Sequence, residues 1–458
     1  MLMKPINYIY SRVNRHLFAK LDSIEKVSAE TGRLLNEMTH RLDALEKYQS
    51  TEQDRRLTAL SRKVDQNMNS LSIYNVVSRE NGANHKKHIL IAGFYGAMNL
   101  GDEIMLESLL DSLKQNEDFD ITVMLADNYQ PDLTRYGAYK FMVHPTNMLD
   151  INMMADYFDG IIVAGGALLD DTNYDISTDN LSLETSIIIL SERLIQFKKY
   201  CVFYGLSTNQ SITKPEYIKI LDSIIQNSTY FSVRDTNSLH IIEKTGIKII
   251  KVELVNDLIF TNHLLLDQRL ERESETSITK NIGLIYIYTD NDYSDLLIFT
   301  QKLLKYSEPN VKYSLIPFYD FHNNDLSFAY KLINEIGSDR VSISTNIPKS
   351  YNNLITSISE NDAIISMRYH GTLMSNLLGK KVLCINYDVH PHYSHKNAYI
   401  YDNYGFTKMM IDLSKLNNFS QKDYNNFEKL IVKRIDIKKM YSMAADELKN
   451  MISLLKLK

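Results

Sequence analysis

The sequence is short of the features that settle a protein's class by themselves. Only two cysteines occur in 458 residues, Cys201 and Cys384, each inside an apolar strand-like run. Two such thiols with no spacing motif point away from a disulfide framework or a zinc site and suit a reducing compartment. No apolar run approaches the ~20 residues that span a bilayer. The N-terminus lacks the compact apolar core and cleavage site of a secretory signal, so a cytoplasmic location is expected. Excess charge of one sign is also missing. A net charge of −5 offers nucleic acid no general attraction, so any anion site must be built locally. What is present, 44% hydrophobic and 23% charged residues, describes a soluble globular protein long enough for two or three domains.

Residues 1–80 read as a helical extension. The first twenty carry Lys4, Arg12, Arg15 and Lys20 with no acidic side chain, and Ile6, Ile9, Tyr10, Val13 and Leu17 recur at helical spacing. Such a basic amphipathic helix suits peripheral contact with the inner face of a membrane, or packing on protein. From Leu21 and Ile24 through Leu35, Met38, Leu42 and Leu45 the period becomes seven. Leu57, Leu60, Val64 and Leu71 resume it after a slip. This predicts an interrupted coiled coil and hence a homo-oligomer or a partner, the alternative being two helices folded back on the body. Residues 81–87, beginning Asn81-Gly82-Ala83-Asn84, read as a linker.

Strand-like and helix-like segments then alternate. Strands are expected at 88–92, 119–125, 140–144, 159–164, 200–204, 230–233 and 248–254, with a helix at 183–199. After a polar linker over 262–280, the pattern repeats with strands near 282–288, 311–317, 340–344, 362–367 and 381–387. Regular βαβ alternation means parallel sheets with right-handed crossovers. The fold class is therefore α/β, with Rossmann-like domains over 88–261 and 281–415 and a cleft between them. A helical segment over 416–458 can cross back over the first domain.

Chemistry-bearing residues gather where strands end. Ser366-Met367-Arg368-Tyr369-His370-Gly371 joins a buried strand to a helix, which aims a cation and an imidazole into the crevice where open α/β sheets bind ligands. In structural terms alone, Arg368 would pair with a carboxylate and His370 would cap the helix. Arg234 holds a similar place after Tyr230–Val233, with Asp235 as a solvated or capping partner. Glycine turns follow two more strands. One is Gly93-Phe94-Tyr95-Gly96 leading to Asn99-Leu100-Gly101-Asp102-Glu103, and the other is Gly165-Gly166 with Asp170 and Asp171 beyond. Glycines there allow positive φ and close ligand approach, although neither the dinucleotide nor the Walker spacing is met. Asp102 and Glu103 also suit the first turn of a helix, where carboxylates complement its dipole. His390, His392 and His395 share a loop with no element to fix the imidazoles together, so no metal is expected.

Taken in order, these segments resemble the polysaccharide pyruvyl transferase family. They are the Gly93–Gly96 turn with Asn99–Glu103, Gly165-Gly166, Tyr204-Gly205, Ser232-Val233-Arg234-Asp235, Asn256-Asp257 and Arg368-Tyr369-His370, spread over residues 88–390. The resemblance implies two Rossmann-like domains in a GT-B-like arrangement. It also implies phosphoenolpyruvate as donor and a pyruvate ketal on a sugar of a surface polysaccharide or its precursor as product. Arg234, Arg368, Tyr369 and His370 match the positions that serve the donor. Tyr369 stands where leucine is usual and Gly371 where alanine is common.

Two arginine forks suit a ligand carrying a carboxylate and a phosphate. Ketal formation needs a proton at the donor's vinyl carbon, a role for His370 as general acid. Gly93, Gly96, Asn99, Gly101, Asp102, Glu103, Gly165 and Gly166 are expected to line the cleft and contact the acceptor, with Asp102, Glu103 and Asp171 as candidates for the base. The expected partners are phosphoenolpyruvate as co-substrate and a saccharide, with no cofactor, metal or nucleic acid. A glycosyltransferase using a nucleotide sugar and an inactive coiled-coil scaffold are the alternatives.

Overall fold

A computed structural model describes residues 63, 66–77, 86–97, 99–114, 118–126, 139–178, 180–208, 211–271, 279–287, 292–318, 324–344, 351–387, 397–433 and 435–456. The chain divides into two compact units, residues 1–72 and 73–458. The described residues of the first unit are helical. The basic helix expected over 1–20, nearly all of the heptad repeat, the Asn81–Asn84 linker and the loop of His390, His392 and His395 lie outside the described residues. No helix among the described residues is long and apolar enough to cross a membrane.

The second unit holds two α/β domains, one around each sheet. The first sheet contains β1 (Lys87–Ala92), β2 (Phe119–Leu125), β3 (Lys140–Val143), β4 (Gly160–Ala164), β5 (Tyr200–Leu206), β6 (Tyr230–Val233) and β7 (Val252–Leu254). Their order is β3-β2-β1-β4-β5-β6-β7. The second contains β8 (Asn281–Ile285), β9 (Lys312–Leu315), β10 (Val341–Ile343), β11 (Ala363–Ser366), β12 (Lys381–Asn386) and β13 (Met410–Asp412), in the order β10-β9-β8-β11-β12-β13. All pairings are parallel. Helices cover both faces of such a sheet, so its central strands must be apolar throughout. Gly160-Ile161-Ile162-Val163-Ala164 meets that demand, with every residue buried.

Each sheet reverses its winding once, between β1 and β4 in the first and between β8 and β11 in the second. At such a switch point neighbouring loops part on opposite sides, which opens a crevice at the carboxyl ends of the strands. The two domains also share an apolar core. Leu100, Ile104, Ile259, Phe260 and Leu265 pack in one cluster with Ile285, Phe318, Leu354 and Leu373.

The C-terminal segment does return to the first domain, though in two pieces. Helix Gln421–Glu428 places Tyr424 and Phe427 in the core of the second domain. Helix Ile437–Leu454 and the residue after it bring Leu448, Met451, Ile452 and Leu455 into the core of the first. Each such apolar side chain contributes about 1.5–3 kcal/mol on full burial, which fixes the strap in place. Lys87 adds a tether, its Nζ donating to the Leu455 carbonyl at 3.0 Å and to the Tyr200 hydroxyl at 2.8 Å.

Other boundaries differ from the sequence reading. β5 runs on through Gly205-Leu206, because Gly205 takes a φ of +60° and the pairing register shifts between Phe203 and Leu206. The first half of the strand expected at 248–254 is instead a 3-10 turn, Ile249–Lys251. The segment expected to be a linker over 262–280 begins with a helix, His263–Glu271. β13 had no counterpart in the expected strands.

Candidate active site

The switch point of the second sheet carries Arg368, Tyr369 and His370. β11 ends at Ser366 and the helix Tyr369–Leu377 begins three residues later, with Arg368 as its N-cap and no side chain capping it. His370 is thus the second helical residue, not the cap. It is 8% exposed. Its neighbour across the domain boundary is Gly101, in the first turn of helix Leu100–Leu113 beyond β1. A Cβ built on Gly101 would stand 2.2 Å from Nδ1 of His370, so only glycine admits the imidazole there.

Arg234 reaches the same place from the end of β6. Its backbone N–H still donates to the Leu206 carbonyl, which holds it in the sheet's register. Nη1 donates to Asp257 Oδ2 at 2.7 Å and Nη2 to the Ser207 hydroxyl at 3.0 Å. The guanidinium lies over the Tyr369 ring, 4.6 Å from its centroid, a cation–π contact. Nη1 also approaches Met105 Sδ at 3.7 Å, and that sulfur underlies Gly165.

Asp257 follows β7 and caps the 3-10 turn Leu258–Thr261. Its Oδ1 accepts from the Ile259 N–H at 3.0 Å, and its own N–H donates to the Tyr404 hydroxyl at 3.3 Å. Oδ2, besides meeting Arg234, lies 3.8 Å from His370 Nε2. Burial by itself would push the Asp257 carboxyl up. The Arg234 guanidinium outweighs it, joined by His370 and the Ile259 N–H, and the carboxyl is held well below its usual range. For Arg234 burial works against the charge, and Asp257 more than restores it. Burial first of all raises the phenols of Tyr369 and Tyr404, which therefore stay protonated at neutral pH.

Arg368 is set differently. Its Nη2 meets both oxygens of Asp325, at 2.7 and 2.8 Å, and its Cζ lies 5.7 Å from the Phe318 ring. Asp325 also accepts the Phe318 N–H at 3.0 Å, and the Phe318 carbonyl accepts from Leu100 of the first domain at 3.4 Å. The side chain of Arg368 is 15% exposed and that of Arg234 is 1% exposed. Arg368 is thus the more open of the two to a ligand. Together the groups are an imidazole and a cation at an uncapped helix start, an arrangement that can hold an anion and move a proton.

The family model for polysaccharide pyruvyl transferases matches residues 99–389. The chain belongs to the polysaccharide pyruvyl transferase family. A search of curated proteins returns no match. Among solved structures, the UDP-GlcNAc 2-epimerase of Neisseria meningitidis bound to UDP-GlcNAc is similar, with a TM-score of 0.52 at 12% identity over 80% of this chain and 100% of that one. The UDP-GlcNAc 2-epimerase of Methanocaldococcus jannaschii, in complex with UDP-GlcNAc and UDP, gives 0.51 at 12% identity over 80% and 99%. At that identity the likeness is one of fold, the GT-B-like pair of Rossmann domains.

Within this pyruvyl transferase family member, the structure brings His370, Tyr369, Arg234 and Gly101 together and sets Arg368 on the same helix start. Gly165 adjoins the cluster through Met105, and a Cβ on Gly166 would lie 3.6 Å from Asp102 Oδ1. Asn99 caps its helix, its Oδ1 accepting from the Gly101 N–H at 3.3 Å. Glu103 is committed to the glycine turn, accepting the Gly96 N–H at 2.7 Å. Gly93 packs on the Tyr95 ring. Asp171 is committed to another turn, its Oδ2 accepting the Thr213 and Lys214 N–H groups at 2.5 and 2.6 Å before helix Pro215–Asn227. Asp235 does not pair with Arg234; it caps helix Thr236–Lys244 through the Ser238 N–H at 2.7 Å.

Asp257, Ser207, Tyr404 and Asp325 were not among the expected site residues. Asp257 stood in the quoted Asn256-Asp257 segment, where a polar pair straight after a strand was the available signal.

Proposed function

We propose that the protein transfers the pyruvate unit of phosphoenolpyruvate onto two hydroxyls of a sugar, forming a pyruvate ketal and releasing phosphate. The observation that carries this reading is the convergence of both domains' strand ends on His370, beside two arginines at the start of a helix. Arg368, the more exposed, supplies positive charge to a donor anion, and the uncapped helix start adds its dipole. Arg234 contributes positive charge from beneath the Tyr369 ring.

A sugar hydroxyl attacks C2 of the donor while the imidazolium of His370 delivers a proton to C3, which turns the methylene into a methyl. The second hydroxyl then attacks C2 and the C–O bond to phosphate breaks. One hydroxyl proton replaces the one delivered to C3, and the other leaves with phosphate. No metal or cofactor enters this route. The acceptor is a saccharide of a surface polysaccharide or its precursor, met on the Gly101–Asp102 and Gly165-Gly166 side.

Phosphate release from phosphoenolpyruvate over a panel of saccharide acceptors, with mass analysis of the products, tests the reading. The expected result is a ketal-bearing product with wild type, and a His370→Gln variant that binds donor without turnover. Wild-type rates from His370→Gln would overturn the acid role.

A further inference from the structure

We propose that Asp257 is the positioning residue for His370: its carboxylate orients the imidazole through Nε2 and leaves Nδ1 on the side of the Gly101 turn. This rests on the reading of His370 as the proton donor. Three observations carry it. First, Asp257 is completely buried, and its two oxygens have separate tasks. Oδ1 is fixed by the Ile259 N–H, which sets the plane of the carboxylate, and Oδ2 faces Arg234 at 2.7 Å and His370 Nε2 at 3.8 Å. Second, 3.8 Å is beyond a hydrogen bond but one small ring movement from one, and catalytic hydrogen bonds often tighten only in the substrate complex. Third, the Nδ1 edge packs directly on Gly101, where any Cβ would stand 2.2 Å from Nδ1, so the ring has a close backbone neighbour on that side only because the residue is glycine. The imidazole is held between a carboxylate on one edge and a glycine on the other.

The backbone carrying Asp257 is itself secured. Tyr404 accepts its N–H, and the Glu447 carboxylate of the C-terminal helix accepts from the Asn256 N–H at 3.0 Å and from its Nδ2 at 3.1 Å. Such anchoring of the residue behind a catalytic imidazole keeps ring and tautomer in the productive state. Asp257 also competes with the donor for Arg234, so removing its charge does not weaken the anion site.

The experiment compares full-length wild type, Asp257→Asn and the pair Arg234→Met with Asp257→Asn, which leaves no uncompensated buried charge if the single variant folds poorly. In each protein, ¹⁵N chemical shifts of the His370 ring report which nitrogen carries the proton; phosphate release gives kcat, and calorimetry with phosphoenolpyruvate gives Kd. The expected result in wild type is an Nε2 that stays protonated while Nδ1 carries the exchangeable proton, a single ring state that both variants lose. In Asp257→Asn, kcat should fall about 100-fold. Donor Kd there should stay within about threefold. Unchanged ring shifts in a folded variant overturn the proposal, as does a loss of kcat and donor affinity in equal measure. If wild type neither binds nor consumes phosphoenolpyruvate, the donor reading fails by itself, and the ring shifts still decide the role of Asp257.

Discussion

Gly101→Ala isolates the contact between the two domains at the imidazole. The new Cβ would stand 2.2 Å from Nδ1, 2.7 Å from Cγ and 2.9 Å from Cβ of His370. Unstrained carbon contacts sit near 3.5–4.0 Å, so the side chain must retreat by about 1 Å. Rotating the ring does not suffice, because the overlap includes His370's own Cβ; the start of helix Tyr369–Leu377 has to move as well. Two effects on stability then oppose each other. Gly→Ala inside a helix stabilises by about 1 kcal/mol where space is open. Overpacking a close-packed site costs about 1–3 kcal/mol. The overlap decides the sign, and a net loss of up to about 2 kcal/mol is expected by urea unfolding. A displacement of about 1 Å at a catalytic group costs on the order of 100-fold in rate, read as phosphate release from phosphoenolpyruvate. A variant about 1 kcal/mol more stable than wild type, with its rate unchanged, would refute the packing argument and with it the placement of His370.

Three further outcomes follow from the buried ion pair and the second glycine. Arg234→Ala should destabilise by about 3–5 kcal/mol in urea, since it leaves the Asp257 carboxylate buried without its guanidinium. Donor affinity in that variant must therefore be read only where it is folded. Because the folded-state carboxyl of Asp257 lies below its unfolded value, the pair's stabilisation is fully present above the unfolded pKa of about 3.9 and is lost as pH falls through the folded value. The double variant Arg234→Met with Asp257→Asn should accordingly lose less stability than wild type between about pH 5 and pH 2 by chemical unfolding. Gly371→Ala would place a Cβ 2.8 Å from Ser366 Oγ and 3.1 Å from Ile285 Cδ1. It should cost about 1–3 kcal/mol, and Ser366→Ala in the same chain should recover most of that in thermal unfolding.

Much of the fold was legible because parallel strands buried on both faces must be apolar runs. The apolar run at 119–125 coincides with β2, and the alternation predicts both parallel sheets. The reading weakened where burial did. β13 is three residues long and only half-buried, so it leaves no apolar run, and β7 is an edge strand entered from a 3-10 turn. Gly205 looked like the end of a strand because a positive φ usually breaks one, yet the sheet absorbs it as a register shift. At the site, strand-end position singled out Arg234, Arg368 and His370, since the crevice is fixed by topology. Their carboxylate partners were not legible. Asp257 lies 23 residues from Arg234, and Asp325 lies 43 from Arg368, distances at which no local spacing rule operates. Position alone makes Asp102, Glu103 and Asp171 candidate bases; hydrogen bonding ties Glu103 and Asp171 to backbone.

The most direct test of the donor assignment is calorimetric titration of wild type and Arg368→Ala with phosphoenolpyruvate, run beside a panel of nucleotide sugars. Saturable phosphoenolpyruvate binding, weakened in Arg368→Ala by about 2–5 kcal/mol, is the predicted result. Heat from a nucleotide sugar with none from phosphoenolpyruvate would contradict it.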